Sequence, residues 1–230
     1  MGLSGCAHIV SDDYAEYLRG NKGEFQFSQT GYEAQYYIAP QVRNHAYQFT
    51  SGLAGSANDW VVWFGKMLVD TLESDDYRAA FKTLSETTEK TPSKGLLFKY
   101  QKVGYRFTNN QAQISLQISV YRDGEWILSK TYRQDGRRQL GKMFWGGVFT
   151  MNNAIQQSTK TALDRTLSNS LSDFQAAMNK RGRLRRKQYP AADDNALAES
   201  LKELKLLNEL GKLSDEEYLQ KRREIINEHK

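Results

Sequence analysis

Gln113-Ile114-Ser115-Leu116-Gln117-Ile118-Ser119-Val120 alternates polar and aliphatic residues without a break. A period of two sends Ile114, Leu116, Ile118 and Val120 to one face of a strand and the glutamines and serines to the other. Turn signals bracket the stretch: Thr108-Asn109-Asn110-Gln111 before it, Arg122-Asp123-Gly124-Glu125 after it. Asp-Gly between two strand patterns suits a type I′ hairpin, whose two central residues both need φ > 0. Upstream, Phe98 and Tyr100 fall in one phase and Val103, Tyr105 and Phe107 in the other, which predicts a bulge near Gln101-Lys102. Downstream the period lengthens. Ile155, Ala162, Leu163, Leu167, Leu171, Phe174 and Met178 fall on one helical stripe. Three strands in hairpin series and a long helix thus carry two apolar surfaces that can cover each other.

Working outward, Tyr32 to Ala39 reads as a strand stopped by Pro40. The residues after it, through Ser51-Gly52-Leu53-Ala54-Gly55-Ser56, read as a flexible loop. That segment lacks the Lys-Ser/Thr of a phosphate loop, which argues against nucleotide binding. Asn58 or Asp59 can cap a following helix through Trp60, Val61, Trp63, Phe64, Met67, Leu68 and Leu72, apolar over more than half its circumference. Arg78 to Leu84 reads as a strand, set off by Asp75-Asp76, and Thr91-Pro92-Ser93 breaks the chain before the meander. Gly141 to Phe149 is an unusually apolar connection into the long helix, fit either to pack beneath it or to bind a partner. The expected fold class is α+β: a mixed, mainly antiparallel sheet with two helices packed on one face, followed by a C-terminal two-helix hairpin.

With 230 residues, 39% hydrophobic and 12% aromatic, the chain can bury a core and is not disordered by composition. No run approaches the roughly 18 apolar residues of a membrane span. The net charge of +5 is local. Lys180, Arg181, Arg183, Arg185, Arg186 and Lys187 carry it, and without those six the 32 Lys and Arg fall to 26 against 27 Asp and Glu. A basic face spread over a fold, as for nucleic acid, is therefore not expected, while the run itself suits contact with an anionic surface. Cys6 is the single cysteine, and His8, His45 and His229 stand far apart. No disulfide, cysteine zinc site or histidine-centred triad follows from these, and no metal or cofactor is expected.

Leu3-Ser4-Gly5-Cys6 has the form of a lipidation site, with small residues before a cysteine whose thiol can accept an acyl chain. It resembles the bacterial lipobox, although the basic and apolar regions that precede such a motif do not stand within residues 1–5. A myristoylation reading of Met1-Gly2 is poorer, because position 6 is Cys rather than Ser or Thr. In the lipoprotein pattern an Asp after the cysteine implies inner-membrane retention. Ala7 stands there, so the resemblance implies the outer membrane, with an acyl chain such as palmitate on Cys6. Residues 1–31 are then a lipidation site and flexible tether, 32–178 the α+β domain, and 179–196 a basic linker.

Residues 197–230 form a second unit. Leu201, Leu204, Leu207 and Leu210 share a helix that Gly211 can end. Leu213 follows, then Ser214-Asp215-Glu216-Glu217, a capping box in which Ser214 is the N-cap and Glu217 the third helical residue. Tyr218, Arg222, Ile225 and Ile226 continue the second helix. Leucines before a glycine, an apolar residue, then Ser-x-x-Glu-aromatic resemble the SHOCT domain, with Tyr218 where phenylalanine is commoner. The resemblance implies oligomerisation or, less directly, nucleic-acid contact. The expected partner-binding residues are Leu201, Leu204, Leu207, Leu210, Leu213, Tyr218 and Ile225. The element order over 32–178 is also similar to periplasmic lipoprotein domains, among them the auxiliary lipoproteins of lipid-transport systems and the lipopolysaccharide-assembly lipoprotein.

Catalytic signatures are absent from the sequence: there is no His-Glu-x-x-His, nucleophile elbow or glycine-rich dinucleotide loop. The pairs Asp12-Asp13, Asp75-Asp76 and Asp193-Asp194 fall at turns or linkers, where capping or solvation accounts for them. The expectation is a non-enzymatic outer-membrane lipoprotein on the periplasmic face, a homo-oligomer serving as an assembly component of an envelope complex. The alternative is a cytoplasmic protein whose hairpin and basic run contact nucleic acid.

Overall fold

The computed structural model describes residues 7–53, 56–91, 94–138, 147–188, 192–209 and 213–228. The meander forms β6 (Leu96–Thr108), β7 (Gln111–Arg122) and β8 (Glu125–Asp135), paired antiparallel in that order. Asn109 (φ 51°) and Asn110 (φ 59°) turn the first hairpin, and Asp123 (φ 52°) and Gly124 (φ 79°) the second. Both connections have the paired positive φ of a type I′ turn. The phase slip in β6 is a bulge between Tyr100 and Lys102. At the bulge the Gln101 carbonyl accepts from Gln41 Nε2 at 2.7 Å, and the Gln101 side-chain Oε1 accepts from Ser119 Oγ at 3.3 Å.

Two further strands complete this sheet. β2 (Glu33–Ile38) lies parallel to both β6 and β5 (Thr83–Glu86), so the order is β5-β2-β6-β7-β8. Arg78 to Leu84, read as one strand, divides instead. Asp75–Arg78 is a helical turn (α4) capped by Ser74, and β5 begins at Thr83. On one face of the sheet Tyr36, Phe98, Tyr100, Tyr105, Leu116 and Ile118 are buried. Across that face runs the helix α5 (Gly147–Gln188), with Phe174 edge-on to Phe98 at 5.6 Å between ring centroids. Every expected stripe residue of α5 from Ile155 to Phe174 is fully buried, and Met178 packs at the margin.

The segment 7–31 is not a tether. Ala7–Ile9 is a strand (β1), Tyr14–Gly20 a helix (α1), and Val10 and Tyr14 are wholly buried. The Val10 N–H donates to the Val61 carbonyl at 2.9 Å, and its own carbonyl accepts from Gln156 Nε2 at 3.0 Å. Polar composition concealed this, because Tyr14 and Leu18 sit a helical turn apart and one buried stripe needs no more.

The expected loop and helix from Pro40 onward also change. Pro40–Arg43 is a helical turn (α2), Ala46–Leu53 a strand (β3), and Ser56–Trp63 a second strand (β4). They form a separate sheet of order β1-β4-β3, in which β1 and β4 run parallel. Aromatic and β-branched side chains favour a pleated strand over a helix. Trp60 and Val62 face the core, and only from Phe64 does α3 (Phe64–Glu73) begin, burying Phe64, Met67, Leu68 and Leu72. Gly65 is needed at this junction, since a Cβ there would run into the Arg43 carbonyl.

The chain divides into two compact units, 1–178 and 179–230. The expected linker over 179–196 is helical at both ends: α5 continues to Gln188 and α6 (Ala192–Glu209) starts at once beyond residues 189–191. Arg, Lys, Leu and Gln are good helix formers that outweigh the single Gly182, and no proline stands before Pro190. In the second unit α6 packs against α7 (Asp215–Glu228) as a hairpin.

Candidate functional site

Cys6 lies outside the described residues, but the chain it enters is firmly placed. β1 starts at the next residue and is fixed to Val61 and to α5 through Val10. The register of β1-β4-β3 then decides what surrounds it. Ala7 opposes Asp59 and Ile9 opposes Val61; on the other side Ala46 opposes Trp63, Gln48 opposes Val61, and Thr50 opposes Asp59. Alternation puts these residues on one face and His8, Trp60, Val62, Tyr47 and Phe49 on the other. The second group is turned inward: His8 lies 4.9 Å from the Trp60 ring, and Tyr47 and Phe49 pack on Tyr105 and Phe107. The first group faces out, with Ile9 44% and Trp63 42% exposed. Its one charge, Asp59, accepts from Thr50 Oγ1 at 2.7 Å.

A different chemistry gathers where α1, α3 and α5 meet. Lys160 Nζ lies 2.7 Å from Asp164 Oδ2, both side chains buried, one turn apart on α5. Burial raises the Asp164 pKa, and Asp76 and Glu24 add to it, while the Lys160 hydrogen bond and charge oppose the rise. Asp70 is raised too, by burial first, against its bond from Lys66. A cavity of about 270 Å³ opens here, lined by Leu18, Phe27, Asp70, Glu73, Lys160 and Asp164 among others. Three of its carboxylates are ion-paired, Asp75 with Lys22 at 2.8 Å, Asp70 with Lys66 at 3.0 Å and Asp164 with Lys160, while Glu73 accepts from the Tyr36 hydroxyl at 3.1 Å and Asp76 from the Gly23 N–H at 2.9 Å. Lys22 holds the Asp75 carboxyl below its ordinary value, and Asp75 raises Lys22 in return. Two further clefts, one along β8 and α5 and one beside Glu24 and Arg137, are lined by polar side chains, with Phe25 in the second. Among the described residues no group of His, Cys, Asp and Glu is arranged to hold a metal ion.

The expected hairpin residues separate. Leu204 is 5% exposed, whereas Leu201, Leu207, Leu213, Tyr218 and Ile225 are half-buried, and Leu210 lies outside the described residues. Among the described residues the exposed leucines of the hairpin are two outside the expected set, Leu206 at 55% and Leu219 at 48%. Helical spacing could have found Leu206, which lies two residues from Leu204 and so on the opposite side of α6. The capping box is formed, with Glu217 N–H donating to Ser214 Oγ at 3.3 Å and Ser214 N–H to Glu217 Oε2 at 2.9 Å. Glu217 is held below the usual carboxylate range by those Ser214 bonds.

Of the basic run, Lys180 is exposed and Arg181 half-buried on α5. Arg183, Arg185, Arg186 and Lys187 lie on the same helix, with side chains outside the described residues. Residues 141–146 of the apolar connection are also outside them. The residues missed at the N-terminal sheet, Ile9, Val61 and Trp63, had a signal in the charge-free quartet Trp60-Val61-Val62-Trp63. Period two divides it into an inner and an outer pair.

No protein-family model matches the chain, and no curated protein matches it. Among solved structures it is similar to the crystal structure of protein XCC0632 from Xanthomonas campestris, described with the family DUF330. That likeness has a TM-score of 0.42 at 10% identity, over 66% of this chain and 91% of that one.

Proposed function

We propose that this chain is a bacterial lipoprotein carried on acylated Cys6 at the periplasmic face of the outer membrane. In this reading it is a non-catalytic assembly component of an envelope complex. The observation that carries the reading is Leu3-Ser4-Gly5-Cys6-Ala7 running straight into β1. A small-residue approach to a single cysteine supplies the acyl acceptor, and the strand that begins at the next residue is bonded into the core. A lipid on Cys6 therefore grips the folded unit directly. In this reading the buried Lys160 and Asp164 of the cavity beside α1 are a structural ion pair. Partner contact falls to the C-terminal hairpin, whose SHOCT-like leucines and tyrosine supply apolar surface, and to the basic run, which suits an anionic partner or lipid head groups.

The test is acylation. Expressed with its native leader in a bacterial host, the protein should carry diacylglyceryl and acyl mass on Cys6 and sediment with outer membranes. Cys6→Ser should move it to the soluble fraction. An unmodified wild-type protein in the soluble fraction would overturn the reading, and the same fraction bound to nucleic acid would favour the cytoplasmic alternative.

A further inference from the structure

The outward face of the β1-β4-β3 sheet has no covering element among the described residues. We infer that Ile9, Val61, Trp63 and Ala46 form a membrane-contact face, laid against the interfacial layer of the bilayer to which Cys6 is attached. The inference rests on the lipoprotein reading and adds to it an orientation and a second lipid-contacting site.

Three observations favour a bilayer as the occupant. The first is covalent distance. Consecutive Cα atoms are about 3.8 Å apart, so a lipid on Cys6 brings the bilayer to the start of β1. The sheet moves with that strand as one body, because Val10 is bonded to Val61 on one side and to Gln156 on the other. The second is register. Ile9 and Val61 are direct partners, and Trp63 and Ala46 are direct partners beyond them. At about 3.3 Å per residue, Trp63 stands roughly 13 Å along the sheet from the level of Ala7. The face therefore extends from the anchor as a short apolar strip, able to lie flat beside it.

The third is chemistry. The strip carries no charge from Ile9 to Trp63, its polar members being the exposed Gln48 beside Val61 and, at the flank, Thr50, which is bonded to Asp59. Trp63 is the side chain suited to the headgroup boundary, where an apolar ring body and a polar N–H are both accommodated. Ile9 and Val61 bring aliphatic area beside it. So few side chains give marginal affinity alone, as a single weak membrane signal does. The face is thus an orienting contact that works only once the chain is tethered, and the unattached protein should not bind vesicles through it.

The experiment supplies the tether chemically, so that it does not depend on cellular acylation. Full-length protein is coupled through Cys6, its single cysteine, to maleimide-phosphatidylethanolamine in phosphatidylcholine–phosphatidylglycerol vesicles. Tryptophan emission is compared in vesicles with brominated and with ordinary acyl chains. Brominated lipid should quench the coupled wild-type protein, and Trp63→Phe should lose most of that quenching. Trp126→Phe, which removes an exposed tryptophan on β8, should keep it. Ile9→Glu should also reduce the quenching of Trp63, with an unchanged thermal transition reporting that the fold is intact. Equal quenching of wild type and Trp63→Phe, or none in either, overturns the inference. Either result leaves the lipoprotein reading standing, because that reading is decided by the mass on Cys6 in cells.

Discussion

Lys160 and Asp164 show how a single pair can be misread from sequence. At i and i+4 on an exposed helix they would be a surface ion pair worth a few tenths of a kcal/mol. Here both side chains are buried, between α5 and the elements that wrap it. Gln156, Ser158, Thr159 and Ser170 are buried on the same helix, each with a hydrogen-bond partner: Val10, Ala112, Tyr105 and Leu167. The apolar stripe of α5 was legible, but the burial of its polar flank was not. Polar residues on a helix read as solvent-facing until something is known to cover them. Here β6 and β7 supply Tyr105 and Ala112, and the segment read as a tether supplies Val10 and, beside Lys160 and Asp164, Leu18 of α1. Two ions taken out of water gain little from each other, whereas one left alone costs a great deal. Lys160→Met, leaving Asp164 unpaired, should destabilise the first unit by about 3–5 kcal/mol, and Asp164→Leu alone similarly. The double variant should return to within about 1 kcal/mol of wild type or exceed it. Urea unfolding followed by tryptophan emission measures all three, and additive losses in the double variant would place the pair's role outside mutual compensation.

At the scale of elements, legibility followed the length over which one period held. β7 alternates from Gln113 to Val120 and α5 keeps its stripe over six turns, so both were found, along with the Asp123-Gly124 turn and the bulge in β6. The run from Trp60 to Leu72 holds two periods. Trp63 ends β4 and Phe64 opens α3 with no loop between them, so a count of apolar residues merges a strand and a helix into one broad helix. The same blindness hid the outward pair Val61 and Trp63, which a merged helix assigns to the core. Where a local rule has its own side-chain chemistry, the sequence read correctly to the residue. Ser214 and Glu217 are such a case, because a capping box is closed within four residues and does not depend on packing. Ser214→Ala removes the acceptor for the Glu217 N–H and frees Glu217 from the serine. The hairpin should lose about 1 kcal/mol, seen as faster amide exchange in the first turn of α7 while the exchange of β6 and β7 is unchanged. Equal exchange in wild type and variant would mean that packing between α6 and α7, rather than the cap, holds that end.

The whole molecule is two units of unequal self-sufficiency. The first has a sheet of five strands, a second sheet and a long helix, enough to bury aromatic and aliphatic side chains from both sheets and from α1, α3 and α5. The second has helices of 18 and 14 residues, and a lone two-helix hairpin of that size seldom buries enough surface to be stable by itself. Its hairpin encloses Leu204 but leaves Leu206 and Leu219 in water. Covering one leucine is worth about 1.5–3 kcal/mol, so a second copy offering the same two leucines would gain from both, and a two-fold pairing makes each contact twice. Self-association should therefore reside in residues 192–228 and depend on these exposed leucines rather than on Leu204, which serves the hairpin's own interior. A chain ending at Pro190 should keep the sheet signature in circular dichroism and the tryptophan emission of the full protein. Its mass by light scattering should fall to that of a monomer. Leu206→Glu with Leu219→Glu in the full chain should give the same fall in mass without loss of helix content, and Leu204→Ala should instead lower helix content. If the truncated chain and the leucine double variant keep the oligomeric state of the full protein at matched concentration, the contact between copies lies in residues 1–178, and the hairpin's exposed leucines await a different partner.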